Sequence, residues 1–208
     1  MKNIIKVIIN LIGFLSYKIL SIKKVEAINH FKRHFYSAWI KHAFKSVGGN
    51  FYVEKIHKII GGKFIEIGEN FYSQKGLRME AIDSFSKINY SPSIIIGDNV
   101  IINYNLHIGC IKTVIIGDNT LIGSNVLITD HNHGSTKDDS NFTIAQAKKK
   151  LTSKGGVYIG KNVWIGENVC ILTGVKIGDN SIVGCNSVVT KSFPHNSIIG
   201  GIPAKSLS

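Results

Sequence analysis

Ile159-Gly160-Lys161-Asn162-Val163-Trp164 runs directly into Ile165-Gly166-Glu167-Asn168-Val169-Cys170, and the same spacing returns at Ile177-Gly178-Asp179-Asn180-Ser181-Ile182. A six-residue period is neither the 2 of an ordinary strand nor the 3.6 of a helix. Self-similarity at this length marks a parallel β-helix, with each hexapeptide one short strand and a turn. The aliphatic first position and the small fifth position point inward and stack on equivalents one coil away. Gly in second place, and Asn three residues after the aliphatic one, suit tight corners that need unusual backbone angles. One coil alone buries almost nothing, so the coils must stack.

Further copies lie toward the N-terminus. Val47-Gly48-Gly49-Asn50-Phe51, Ile67-Gly68-Glu69-Asn70-Phe71, Ile96-Gly97-Asp98-Asn99-Val100 and Ile116-Gly117-Asp118-Asn119-Thr120 start coils, and Ile122-Gly123-Ser124-Asn125-Val126 continues one. The starts at Ile159 and Ile177 lie 18 residues apart, three hexapeptides per turn, which predicts a triangular prism; the longer intervals carry loops. This pattern, with the endings Val189-Thr190-Lys191 and Gly200-Gly201-Ile202-Pro203-Ala204-Lys205, resembles the hexapeptide-repeat acyltransferases over about residues 47 to 205. The resemblance is greatest to the branch that holds galactoside, maltose and capsule or O-antigen O-acetyltransferases. It implies an all-β, left-handed parallel β-helix, homotrimeric assembly with active sites between subunits, and acetyl-CoA as acyl donor. The periodicity by itself shows only a stacked β-helix.

The formal net charge of +12 is unevenly placed. Residues 1 to 63 hold twelve Lys or Arg against only Glu26 and Glu54, so the excess belongs to the front of the chain. The expected organisation is a basic, apolar helical segment at 1–46, then the β-helix domain at 47–205 with an extended loop at about 130–156. The front begins with an apolar stretch, Ile4 to Ile22, interrupted by Lys6, Asn10 and Lys18. Drawn as a helix, it carries one narrow, weakly polar stripe. A cleaved signal peptide is disfavoured, because no small-x-small site follows the apolar run. A span is long enough, but each Lys near mid-membrane costs roughly 2.5 to 3.5 kcal/mol unless it snorkels. Two readings stand side by side. One is an interfacial helix, with Lys23, Lys24, Lys32, Arg33, Lys41 and Lys45 interleaved with aromatic residues on anionic lipid. The other is a helical cap on the first coil or on a neighbouring subunit. No helix-turn-helix, zinc-finger or RNA-recognition signature accompanies the charge, so nucleic acid is set aside. Cys110, Cys170 and Cys185 form an odd, scattered set without CxxC, which points away from a disulfide framework and toward a reducing cytoplasm.

The repeat fails conspicuously once, at Asp130-His131-Asn132-His133-Gly134 and the polar stretch that follows, and long excursions from a rigid scaffold are usually functional. In the family resembled, a His at the base of this loop acts as general base on the acceptor hydroxyl. By position that residue is His131, with His133 the rival, while Asp130 either orients a ring or caps the turn. Imidazole suits this role, because an alcohol is a poor nucleophile at neutral pH and a base with an unperturbed pKa near ~6.5 can take its proton.

The resemblance also assigns Asn103 to the acceptor, with an ordinary corner Asn as the competing reading, and Trp164 to a wall of the site. It assigns Gly166, Gly184, Cys185, Thr190, Lys191 and Lys205 to the cofactor groove, and Cys185 stands where Ala is common. A zinc site of the γ-carbonic-anhydrase kind would draw on His107, His131 and His133, but the H-x4-H spacing of that family is absent and no metal is expected. The expected activity is acetyl-CoA-dependent O-acetylation of a cell-envelope, capsule or O-antigen sugar or its precursor. N-acylation of a nucleotide-linked amino sugar, O-acylation of serine, and a non-catalytic scaffold are the alternatives.

Overall fold

A computed structural model of the chain describes residues 2–134 and 144–207; positions 135–143, the middle of the extended loop, lie outside the described residues. The predicted coil starts come into one register. Val47, Ile67, Ile96, Ile116, Ile159 and Ile177 stand side by side on successive parallel strands of one sheet. Among the described residues this first face has six strands, from Ser46–Val47 to Lys176–Ile177. The second face has eight, from Tyr52–Val53 to the antiparallel pair Ile198–Gly201 and Ala204–Ser206. The third has six: Ile56–Ile60, Leu77–Ala81, His107–Cys110, Leu127–Thr129, Cys170–Ile171 and Val188–Val189. Aliphatic side chains from all three faces fill the prism, among them Ile96, Ile102, Ile108, Ile116 and Ile122, each essentially buried. Each such side chain contributes roughly 1.5 to 3 kcal/mol over leaving it in water.

The corners divide their roles differently from the sequence expectation. It is Asn that takes the left-handed backbone, with φ of 54° at Asn162 and 57° at Asn119 and Asn180. A short polar side chain tolerates this conformation by bonding locally. Here it bonds along the prism: Asn70 Nδ2 donates to Asn99 Oδ1 at 2.8 Å, and Asn99 Nδ2 to Asn119 Oδ1 at 3.0 Å. The Gly in second place is required by close approach instead. A Cβ on Gly117 would lie 2.6 Å from the carbonyl carbon of Gly160 in the next coil.

At the front, the apolar run read as a single helix is broken. Helix α1 spans Lys2–Ile19, helix α2 spans Ile22–Ile40, and the chain turns by 63° between them at the extended Ser21. Ser competes with the helix for backbone hydrogen bonds and so favours such junctions. The second half of α2 is fastened to the first coil. Ser37 Oγ accepts the Val53 N–H at 2.9 Å and donates to the Val53 carbonyl at 3.1 Å, Ile56 N–H donates to Tyr36 Oη at 3.2 Å, and Arg33 pairs with Glu54 at 2.6 Å. Phe44 continues this contact into the core. The basic and aromatic residues of 23–45 therefore divide, with Arg33, Tyr36 and Phe44 turned to the prism and Phe31, Phe35 and Trp39 turned out.

Candidate functional site

Strand Leu127–Thr129 ends at the corner where the hexapeptide pattern is interrupted, and Asp130 turns its side chain inward there. A fully buried carboxylate requires donors. It accepts backbone N–H groups from Ile111 at 2.9 Å, Lys112 at 2.7 Å and Thr113 at 2.9 Å, so it caps the corner of the preceding coil. Its Oδ1 also lies 3.2 Å from Nδ1 of His131, and Thr129 Oγ1 lies 3.3 Å from the same nitrogen. The same carboxylate thus contacts both the corner and the ring. An ionised carboxylate can only accept, which assigns the proton of the neutral His131 ring to Nδ1 and leaves the lone pair on Nε2. The imidazole is held close, with a side-chain exposure of 10%. The Cys110 thiol, 3.4 Å from Asp130 Oδ2, is pushed well above its usual pKa by burial and by that carboxylate, so it stays protonated and is no nucleophile.

His131 opens into a cavity of about 580 Å³ on the third face, lined also by His133, Phe85, His107, Arg78 and Glu80. His133 lies on the short strand Asn132–His133, which pairs antiparallel with Leu151–Thr152. Its ring is exposed, 6.4 Å from that of His131 and 5.5 Å from Phe85. Tyr90 anchors this ribbon, its hydroxyl bonding both backbone groups of Leu151.

Residues of the cavity missed in the sequence include Glu80, Arg78, Gly109, Lys58 and Phe85. Glu80 is 8% exposed and takes Lys58 Nζ at 2.8 Å, Arg78 Nη2 at 2.7 Å and His107 Nε2 at 3.1 Å. Burial alone would raise its pKa, but the hydrogen bonds from Lys58, Arg78 and His107 outweigh it and bring the carboxyl down to about 2. Burial, joined by the charge of Arg78, lowers the His107 pKa against the pull of Glu80. His107 therefore donates from Nε2 as a neutral ring. Gly109 sits between Glu80 and Thr129 in the strand register, and a Cβ there would lie 3.0 Å from Cε1 of His131. Its missing side chain is what lets the imidazole lie over the strand. The alternation of Arg78 and Glu80 in strand Leu77–Ala81 was the available signal, since inward positions of a β-helix strand are apolar.

The other expected residues lie elsewhere on the chain. Trp164, 52% exposed, stands on the outside of the second face between Leu121 and Ile182. Asn103 is half-buried, immediately after the second-face strand Ile101–Ile102. Gly166 and Gly184 mark the corner that follows this face, where a Cβ on Gly166 would lie 2.7 Å from the backbone N of Cys185. Cys185 Sγ accepts the Glu167 N–H at 3.3 Å. Thr190 and Lys191 are exposed just beyond the last third-face strand, and Lys205 is exposed on the final strand. The lining of the His131 cavity includes none of these residues. Among the described residues, no three His, Cys, Asp or Glu gather as a metal-binding group.

Residues 156–191 match the family described as bacterial transferase hexapeptide (six repeats), and residues 113–129 match the hexapeptide repeat of succinyl-transferase. Over 144 residues the chain is 46% identical to WbbJ of Escherichia coli (strain K12), named as a candidate lipopolysaccharide biosynthesis O-acetyl transferase. That match covers 68% of this chain and 69% of the relative. A solved galactoside acetyltransferase in complex with coenzyme A is 31% identical, with a TM-score of 0.54, 82% of this chain and 68% of that one being covered. AntD, an N-acyltransferase from Bacillus cereus, has the same fold with a TM-score of 0.65 at 22% identity, over 82% of this chain and 86% of its own. With the stacked hexapeptide coils and the buried Asp130 behind His131 already in place, these matches establish that the chain belongs to the hexapeptide-repeat acyltransferases of left-handed parallel β-helix fold, in the branch of the galactoside and lipopolysaccharide O-acetyltransferases.

Proposed function

We propose that the protein is an acetyl-CoA-dependent O-acetyltransferase acting on a hydroxyl of a cell-envelope, capsule or O-antigen sugar or its precursor. The observation that carries this reading is the Asp130–His131 couple facing a cavity large enough for a sugar. Nε2 of His131 takes the proton of the acceptor hydroxyl as its oxygen becomes nucleophilic. Asp130, 3.2 Å from Nδ1, favours the resulting imidazolium and keeps the ring from turning. Glu80 and the free Nδ1 of the neutral His107 offer acceptors to the remaining hydroxyls, and Phe85 offers an apolar wall.

Acetyl-CoA supplies the acetyl group as an activated thioester. The residues that would hold it are Trp164, Gly166, Gly184, Cys185, Thr190, Lys191 and Lys205. They suit such a ligand in their chemistry, and a Cβ built on Gly184 would meet the Ile199 carbonyl oxygen at an ordinary contact distance of 3.4 Å. Trp164 offers apolar surface for the pantetheine arm, and Lys191 and Lys205 are exposed cations for its phosphates.

Within one chain His131 stands at the corner after the third face, which Thr190 and Lys191 share two coils on, whereas Gly166, Gly184 and Cys185 mark the corner before that face. We propose a homotrimer in which the His131 corner of one copy faces the Gly166–Gly184 corner of the next, completing the site between subunits. The outward ladder Ile101, Leu121, Trp164, Ile182 and Ile198 on the second face supports such a contact. Acetyl-CoA is a cytoplasmic metabolite, so the proposed location is the cytoplasm, at the inner face of the membrane.

The test is incubation with labelled acetyl-CoA and a panel of lipid-linked and nucleotide sugars, followed by mass spectrometry. Acetylation of a sugar hydroxyl is expected. Acetylation confined to amino sugars would replace the reading by N-acylation, and no transfer to any sugar would overturn it.

A further inference from the structure

Helix α1 has no buried residue although most of its length is Ile, Val, Leu and Phe. Its polar or small positions, Lys2, Asn3, Lys6, Asn10, Gly13, Ser16 and Tyr17, fall along one side, and the rest of the cylinder is apolar except for Lys18 near its end. Helix α2 adds a second observation. The face that carries Ser37, Tyr36 and Arg33 is occupied by the first coil, and on the opposite face Phe31, Phe35 and Trp39 are 73%, 70% and 63% exposed. That stripe is continued by Ile28 and flanked by Lys24 and Lys32. Helix α2 is therefore two-sided, with one side fixed to the prism and the other an aromatic ridge aimed away from it.

We infer that α1 and the outward ridge of α2 dock this protein in the plane of an anionic lipid bilayer. Charge decides between lipid and a second copy as the occupant. Residues 2–40 hold seven Lys or Arg against the single acid Glu26, so two such surfaces brought together would repel, whereas anionic headgroups neutralise them. Shape agrees. A helix packed on protein needs one apolar stripe, while α1 is apolar over most of its circumference, as a helix sunk beneath the headgroups requires. The docking lies in the plane, because no single helix among the described residues is long and apolar enough to cross a membrane and because α2 is fastened to a rigid prism. The inference goes beyond the proposed transferase activity and does not rest on it.

The test uses the full chain with vesicles of phosphatidylcholine alone and of phosphatidylcholine with phosphatidylglycerol, binding being read by co-sedimentation. Binding to the anionic vesicles is expected, weakened by salt and slight on neutral ones. Lys6→Glu with Lys18→Glu, on a helix with no buried residue, should weaken it by at least about tenfold, since each basic residue near the surface is worth roughly fivefold. Phe31→Glu with Phe35→Glu should abolish binding, with oligomeric mass and thermal midpoint unchanged. Wild-type protein that ignores anionic vesicles overturns the inference, as does undiminished binding by both double variants. A change of oligomeric mass in the Phe variant would assign the ridge to a second copy, and bound protein that resists alkaline extraction would mean a helix pair inserted across the bilayer; either result overturns in-plane docking.

Discussion

Asp130 Oδ1 lies 3.2 Å from Nδ1 of His131 while the same carboxylate accepts three backbone N–H groups from Ile111, Lys112 and Thr113. One buried side chain thus joins the corner of one coil to the orientation of the imidazole on the next. His131→Ala should lower kcat by roughly two to four orders of magnitude and leave the KM for acetyl-CoA nearly unchanged, while His133→Ala should cost far less. The reverse ranking in steady-state kinetics would move the base to His133. Asp130→Asn should lower both turnover and the unfolding midpoint, because the backbone donors lose a charged acceptor.

Gly109→Ala probes the same ring from below. Its Cβ would stand 3.0 Å from Cε1 of His131, so the imidazole must shift by a few tenths of an ångström. Misplacement on the 1 Å scale can cost ~10²-fold, so a loss of roughly tenfold in kcat is expected, with the circular dichroism spectrum retained. Unchanged kcat would show that the ring has freedom the geometry denies it.

Glu80 predicts an acid-side effect. With its native pKa held at about 2 against an ordinary 4.5, the unfolded chain binds more protons between those values. Its contribution to stability is therefore complete above about pH 4.5 and is lost as pH falls toward 2. Glu80→Gln leaves Lys58 and Arg78 without their counter-charge beside His107. The urea midpoint of the variant should lie below wild type at neutral pH, and the gap should close as pH falls through that window. A gap independent of pH would mean that shape, not charge, sets the contribution of Glu80.

Lys191→Glu and Lys205→Glu should each raise the KM for acetyl-CoA several-fold and leave kcat little changed. The wild-type KM should itself rise with salt, because both cations are exposed. Two silent variants with a salt-independent KM would remove these residues from the cofactor groove.

The hexapeptide pattern alone determined the prism, since each coil repeats a local rule: an aliphatic residue inward, Asn at the left-handed corner, a strand of two or three residues. Coil starts from Val47 to Ile177 could be marked without any contact information, and they stack as marked. Position in the broken repeat likewise singled out Asp130 and His131. The rest depended on register across loops of unequal length. The cavity joins Glu80 to His107 and Gly109 to His131 through neighbouring coils, but the interval from Met79 to Ile108 is 29 residues and from Ile108 to Ile128 it is 20, values set by loops that the period does not encode. Which side chain of an outward pair meets which neighbour is decided only when those loops close. The same holds for α2, whose aromatic and basic residues alternate evenly in sequence. Only the docking of Ser37 and Tyr36 on the first coil decided which of them were buried and which were left facing outward.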